Sequence, residues 1–209
     1  MPTRLVLIRH GRAVSDGGPE LLLGGRTDAA LTDAGRAEAR CLAARLRGAA
    51  PFPLIYSSPL RRAASTAQAL EAAGLGTIRY CAALREIDCG ALDGAPLEEV
   101  RRSFPDVWAA NLRQDDDGFR YPGGESYREF RARCLAAMRA IARAHRGARI
   151  AVVTHAGVVS QVVGKIRGMS PARWDCHRPG TTGITEIAWN RRAQAVLTFD
   201  DRSHLASAR

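Results

Sequence analysis

The hydrophobic pattern of the chain switches repeatedly between two periods. Residues 4–8 read Arg-Leu-Val-Leu-Ile, an unbroken apolar run typical of a parallel strand covered on both faces. Residues 29–47 change to a helical period, with Thr32 as N-cap and Ala39, Leu42, Ala43 and Leu46 on one face. Leu54-Ile55-Tyr56 predicts a second strand. It ends at Ser57-Ser58-Pro59, where Ser58 can cap a helix with Pro59 in its first position, running to about Ala73 before Gly74. Residues 77–80 predict a third strand, followed by a loop carrying Leu84-Arg85-Glu86. Residues 96–121 read as short helices and loops. After Gly123-Gly124 a long helix places Tyr127, Phe130, Cys134, Met138 and Ile141 inward. Arg149–Thr154 predicts a fourth buried strand, then His155-Ala156-Gly157 and another helix, and Ile184–Trp189 with Ala195–Phe199 predicts an edge hairpin. This alternation predicts an α/β fold: three-layer, mainly parallel sheet with helices on both faces and an antiparallel edge strand. Its 209 residues suit a single domain, 1–209, with a cap or insertion at about 91–122.

Charge changes this picture little. The formal net charge is +10, and Lys165 is the only lysine, so the excess is arginine. Arg36, Arg40 and Arg47 on one helix, and Arg128, Arg131 and Arg139 on another, are expected on solvated outer faces. Basic runs do not alternate with aromatic residues, so no nucleic-acid partner is expected. No apolar run approaches the roughly 18 residues of a membrane span. The first residues lack signal-peptide architecture, and a cytoplasmic location is expected. Cys41, Cys81, Cys89, Cys134 and Cys176 are scattered without a C-x-x-C pair, which speaks against a disulfide framework or a zinc site.

Candidate chemistry lies where strands end, because ligands of open α/β sheets bind at the carboxyl ends of strands. The four predicted strands are followed by Arg9-His10-Gly11, by Ser57 to Arg62, by Glu86, and by His155-Ala156-Gly157. Two histidines, a glutamate and several arginines thus converge on one rim. A neutral imidazole at His10 can attack phosphorus, and neighbouring arginines disfavour its protonation. Arg9 and Arg62 would clamp phosphate oxygens, His155 would donate to the equatorial oxygens, and the Ala156 N–H at a helix start would face the anion. Glu86 would protonate the leaving oxygen and then deprotonate water. Arg61 and Arg62 open a helix where the macrodipole disfavours cations, which makes sense if one reaches an anion. The competing reading is a structural histidine beside a turn glycine, with Arg61 in solvent. His145, at a helix end, is expected to be structural, and His177 beside Cys176 lacks further metal ligands.

Arg9-His10-Gly11 after an apolar first strand resembles the histidine phosphatase superfamily, which includes the cofactor-dependent phosphoglycerate mutases. Four further blocks resemble the family in order: Gly25 to Gly35, Ser57 to Ala67, Leu84 to Gly94, and Val153 to Gly157. The resemblance implies a phosphoglycerate mutase-like fold, His10 as phosphohistidine and Glu86 as proton donor. It implies Arg9, Arg62 and His155 as the phosphate pocket, with Gly25 and Ala156 beside the substrate. No metal or organic cofactor is implied. Two positions depart from the family: Ala13 stands where a hydroxyl residue is common, and Asp16 where an asparagine is common. Ionised Asp16 would repel phosphate, so it is expected to point away or to meet a polar substrate group.

The expected activity is hydrolysis of a small phosphorylated metabolite. Tyr121 to Ser126 and Asp201 to Leu205 look like the phosphatase branch, similar to α-ribazole and broad-specificity phosphatases. The alternative is a mutase, whose substrate-binding arginine pair Arg101-Arg102 superficially echoes. A second alternative is a non-catalytic phospholigand or nucleic-acid binder. Oligomeric state is not legible.

Overall fold

The fold was analysed in a computed structural model, which describes residues 1–16 and 23–208. One six-stranded sheet forms its centre, built from β1 (Thr3–Arg9), β2 (Ile55–Ser57), β3 (Ile78–Tyr80), β4 (Arg149–Thr154), β5 (Ile184–Trp189) and β6 (Gln194–Asp201). Their order is β3-β2-β4-β1-β5-β6. The first four run parallel, while β5 lies antiparallel to β1, and β6 antiparallel to β5.

The apolar runs explain this placement. Leu5 and Leu7 of β1, with Ile150 and Val152 of β4, enter a core lined by α5 (Tyr127–Ala144) and α6 (Ala156–Ile166). Val6, Ile8, Ala151 and Val153 point the other way, into a second core under α1 (Asp33–Leu46) and α2 (Arg61–Ala72). Successive side chains of a strand face opposite ways, so a strand covered on both sides must be apolar at every position. The predicted three-layer sheet with an antiparallel edge is the observed architecture. A third cluster joins Cys89, Leu92, Val100, Phe119, Tyr121, Tyr127 and Ala172. It gathers the segment that contains α3 (Leu97–Ser103) and α4 (Pro105–Arg113) around the start of α5.

Element ends follow local chemistry with three corrections. Thr32 caps α1 as expected, its Oγ1 accepting from Gly35 N at 3.0 Å, but residues 29–31 lie outside the helix. Ser58 does not cap α2, and Pro59 is not its first residue. The helix starts at Arg61, whose N–H donates to Asp28 Oδ1 at 2.6 Å; the Ser58 hydroxyl instead accepts from Leu60 N at 3.3 Å and pairs with His155, which follows β4. Arg131 is buried rather than solvated. Its Nε donates to Gln161 Oε1 at 2.6 Å and its NH2 to the Ser170 carbonyl at 2.9 Å, tying α5 to α6 and the following turn. The inward face read for α5 is correct at all five positions, and Ser126 with Glu129 forms a capping box at its start.

Candidate active site

Strand register brings the two histidines together. Arg9 of β1 pairs with Thr154 of β4, so the next residues, His10 and His155, leave the sheet side by side. His10 N donates to Thr154 O at 2.9 Å, and the two imidazole rings meet edge to face with centroids 5.1 Å apart. Both are buried. Gly11 must lack a side chain, since a Cβ there would stand 2.5 Å from the Gly35 carbonyl oxygen.

The tautomer of His10 follows from its partners. Nδ1 lies 2.8 Å from the Gly11 carbonyl oxygen, which can only accept, so Nδ1 carries the proton. Nε2 is then the lone-pair nitrogen, and it accepts from Arg62 Nε at 3.2 Å. Burial drives the His10 pKa down to about 3, assisted by Arg62 and Arg9 and opposed by Asp16 and the Gly11 carbonyl. His155 falls well below its ordinary value for the same reasons, burial first and then Arg62. At neutral pH both rings are uncharged.

Arg62 is fully buried in the first turn of α2. Its NH1 donates to the Thr27 carbonyl at 2.6 Å, and its NH2 to the Gly25 carbonyl at 2.9 Å. Thr66 supports it from one turn on: its hydroxyl donates to Arg62 O at 2.7 Å and accepts from Gly11 N at 3.0 Å. The 25–27 loop is shaped by Asp93, whose oxygens accept from Arg26 N at 2.5 Å and from Thr27 N at 3.0 Å. A Cβ at Gly25 would lie 2.7 Å from the Ile87 carbonyl oxygen, so Gly25 marks where this loop touches the chain beside Glu86. Arg61 is exposed, as the competing reading of that residue held.

Arg9 donates through NH1 to Pro179 O at 2.9 Å and through NH2 to Asp16 Oδ1 at 3.0 Å. Asp16 therefore does not point away, which corrects the first of its two expected placements. It turns into the site, where Oδ2 lies 3.8 Å from His10 Nδ1 and accepts from Ala13 N at 2.9 Å. Burial alone would raise this carboxyl; His10, Arg9 and the Ala13 N–H outweigh it and hold the group below the usual carboxylate range. Arg9 pairs with the carboxylate and offsets part of its charge, which lets Asp16 turn inward.

Glu86 is buried against the start of α6. Its Oε2 accepts from Gly157 N at 2.9 Å and its Oε1 from Ile87 N at 3.0 Å. Ala156, the first residue of α6, and His155, its N-cap, complete the rim. His155 Nε2 pairs with Ser58 Oγ at 2.8 Å, and its buried Nδ1 has no hydrogen-bond partner among the described residues. The structure thus brings together every candidate residue: Arg9, His10, Gly25, Arg62, Glu86, His155 and Ala156. Sequence reasoning missed Ser58 as the partner of His155, Thr66, Asp93 and Gly157. Only the glycine after His155-Ala156 left a readable signal.

His145 caps α5, with its Nε2 3.0 Å from Tyr56 Oη. Arg101 and Arg102 are exposed, and Arg101 NH2 is bound to Glu98 at 2.6 Å. Among the described residues no group of three or more His, Cys, Asp or Glu is arranged to hold a metal ion. No described helix is long and apolar enough to cross a membrane.

Comparison with known proteins places this geometry. The family model of the histidine phosphatase superfamily (branch 1) matches residues 5–202. A metal-independent phosphoserine phosphatase of Arabidopsis thaliana is 29% identical over 206 residues, 98% of this chain and 84% of that protein. Phosphoglycerate mutase-like protein 4 of the same plant is 34% identical over 165 residues, 78% of this chain and 70% of that protein. Among solved structures, a mutant phosphoserine phosphatase of Entamoeba histolytica in complex with phosphoserine superposes with a TM-score of 0.84. It is 26% identical, over 97% of this chain and 99% of that one.

Proposed function

The chain belongs to the histidine phosphatase superfamily and is a phosphoric monoester hydrolase, and on that premise we propose that it works through a phosphohistidine on His10 without a metal ion. The observation that carries this reading is the fixed tautomer: Nδ1 committed to the Gly11 carbonyl, and the Nε2 lone pair facing Arg62. Such a nitrogen is a nucleophile that needs no base to activate it.

In the first step Nε2 forms a bond to phosphorus as the ester P–O bond breaks. Glu86, as carboxylic acid, gives its proton to the leaving oxygen. In the second step the Glu86 carboxylate takes a proton from water, whose oxygen attacks phosphorus and breaks the P–N bond. Phosphate leaves and His10 returns to its neutral form. Arg9 and Arg62 balance the charge on the phosphoryl oxygens, and the burial of Arg62 and partial burial of Arg9 strengthen that attraction. The unpartnered Nδ1 of His155 and the Ala156 N–H at the start of α6 are available to the equatorial oxygens. Gly25 contributes its carbonyl to the seat of Arg62.

The substrate class is a small phosphorylated metabolite, with residues 91–122 as the cap that selects it and one domain spanning 1–209. Residues 17–22 and 209 of that domain lie outside the described ones. Phosphoserine is the first compound to test, since two similar proteins carry it in their names. A cytoplasmic setting fits the five free cysteines. No nucleic-acid partner is proposed. The mutase reading gains nothing from Arg101 and Arg102, which face solvent.

Purified protein treated with chelator should hydrolyse p-nitrophenyl phosphate, and His10→Ala should remove at least about 10³-fold of the rate, the scale of losing a covalent nucleophile. Wild-type rates in that variant would end the proposal. Conversion of 3- to 2-phosphoglycerate faster than hydrolysis would replace it with the mutase.

A further inference from the structure

A paired arginine and glutamate outside the phosphate pocket grip the backbone that carries Glu86. Arg133, on α5, uses all five of its N–H donors. Nε donates to Glu125 Oε1 at 2.7 Å and NH2 to Glu125 Oε2 at 2.6 Å, a two-pronged ion pair. NH1 donates to the carbonyls of Ala83 and Arg85, both at 2.9 Å, and NH2 to the carbonyl of Glu86 at 3.1 Å. The intervening carbonyl, Leu84 O, accepts from Thr154 Oγ1 at 2.7 Å. Four successive carbonyls, 83–86, are therefore held by side chains.

Glu125 grips the other side of Glu86. Its Oε2 accepts from Asp88 N at 3.0 Å, and its own N–H donates to Asp88 O at 2.9 Å. Arg26 extends the network, with NH1 2.8 Å from Asp88 Oδ2 and NH2 3.9 Å from Glu125 Oε2. Arg26 follows Gly25, whose carbonyl seats Arg62. One connected set of bonds thus runs from the phosphate-side arginine to the loop of the proton donor. The side chains of Arg133 and Glu125 are only 20% and 17% exposed, so water competes weakly for them. The Arg133 plane also lies over the Phe130 ring, 5.0 Å from its centroid, which fixes its orientation.

Only a guanidinium can do this. Lysine has three donors radiating from one nitrogen and cannot meet both carboxylate oxygens and three carbonyls at once. We propose that Arg133 and Glu125 are positioning residues for proton transfer: their ion pair holds residues 83–88 so that the Glu86 carboxyl meets the leaving oxygen. This rests on Glu86 being the proton donor. The consequence is selective. An ester with a poor leaving group, such as phosphoserine, needs a well-placed acid, whereas p-nitrophenolate departs almost unaided.

The test uses Glu125→Gln and Arg133→Lys, each alone and combined with Glu86→Gln, on phosphoserine (or another alkyl phosphate that the enzyme accepts) and on p-nitrophenyl phosphate. Glu125→Gln keeps the side chain's size and turns an N–H group toward the Arg133 donors, so it remains informative should Arg133→Lys fold poorly. Each single variant should lower kcat on the alkyl ester by about tenfold or more, the scale of a carboxyl displaced by a fraction of an ångström. KM for the alkyl ester should hold, and kcat/KM on the aryl ester, which reports the steps through P–O cleavage and not the attack of water common to both esters, should stay within about threefold. Added to Glu86→Gln, either substitution should cost nothing further, because the effect passes through that carboxyl. Equal losses of kcat/KM on both esters, or losses that add to Glu86→Gln, would mean the pair only supports the fold and would overturn the proposal. A leaving-group difference in Glu86→Gln that is absent from both clamp variants would overturn it alone. No difference in Glu86→Gln itself would remove the underlying assignment of the acid.

Discussion

Gly157 offers a test whose size can be worked from the coordinates. It is the second residue of α6, and its N–H holds Glu86 Oε2 at 2.9 Å. A Cβ added there would stand 2.9 Å from the Glu86 carboxyl carbon and 3.1 Å from Oε2, with Oε1 nearer still. Carbon atoms in contact sit about 3.5–4.0 Å apart, so in Gly157→Ala the carboxyl must retreat by on the order of 1 Å. The retreat breaks or stretches a hydrogen bond to a charged group, worth about 1.5–3 kcal/mol. It also displaces the acid by a distance that can cost about 100-fold. The helix itself should not suffer, because alanine is favoured over glycine there by about 1 kcal/mol. The expected result is a 10- to 100-fold fall, roughly, in kcat/KM on alkyl phosphates, less than about threefold in kcat/KM on p-nitrophenyl phosphate, and a melting temperature within a few degrees of wild type. Stopped assays of phosphate release on both esters, with a thermal melt on the same sample, would read this. Full alkyl-ester activity in Gly157→Ala would refute the placement of the acid, and a matching fall of kcat/KM on the aryl ester would refute its role as proton donor.

Three further outcomes follow from the electrostatics. Asp16→Asn removes a carboxylate from beside Arg9 and His10; with less repulsion, the inhibition constant for inorganic phosphate should drop by about tenfold, and an unchanged constant would show that Asp16 is fully neutralised. Arg62→Lys cannot serve His10, Gly25 and Thr27 together, so kcat/KM should fall by about 100-fold, and a loss under threefold would show that charge alone suffices. Acid should destabilise the fold. His10 is buried neutral with its pKa at about 3, while the unfolded chain binds a proton near 6.5, so its stability contribution is complete above 6.5 and is lost as pH falls towards 3. Between pH 6.5 and 5 the loss from His10 is on the order of 2 kcal/mol, visible as a lower urea midpoint that His10→Gln should flatten in part, the buried neutral His155 supplying the remainder.

The layer pattern was legible because burial on both faces leaves no freedom of composition. Residues 5–8 and 150–153 had to be apolar at every position, and α1 and α5 had to carry a single apolar stripe. The site was legible to the same depth, since the sheet delivers whatever follows each strand to one rim. The meeting of His10, Glu86, His155 and an arginine at the start of α2 could therefore be read from position, while the choice of Arg62 over Arg61 came from the family resemblance. Asp16 and Arg131 could not. Each was judged by the charge it carries, yet its place was set by partners distant in sequence or space: Arg9 across a turn for one, Gln161 and the Ser170 carbonyl across a helix interface for the other.

What the sequence alone determined, then, was the order of elements, the faces they bury, and the kind of chemistry gathered at the strand ends. Tertiary structure decided which nitrogen of His10 holds the proton, that Ser58 serves His155 instead of capping α2, and that Arg133 spends its five donors on the loop of Glu86. The physical reason is the range of the interactions. Hydrophobic periodicity is a property of neighbours along the chain, whereas a hydrogen bond forms only when two groups arrive within about 3 Å at a suitable angle, a condition that the packing of the whole sheet and its helices must meet.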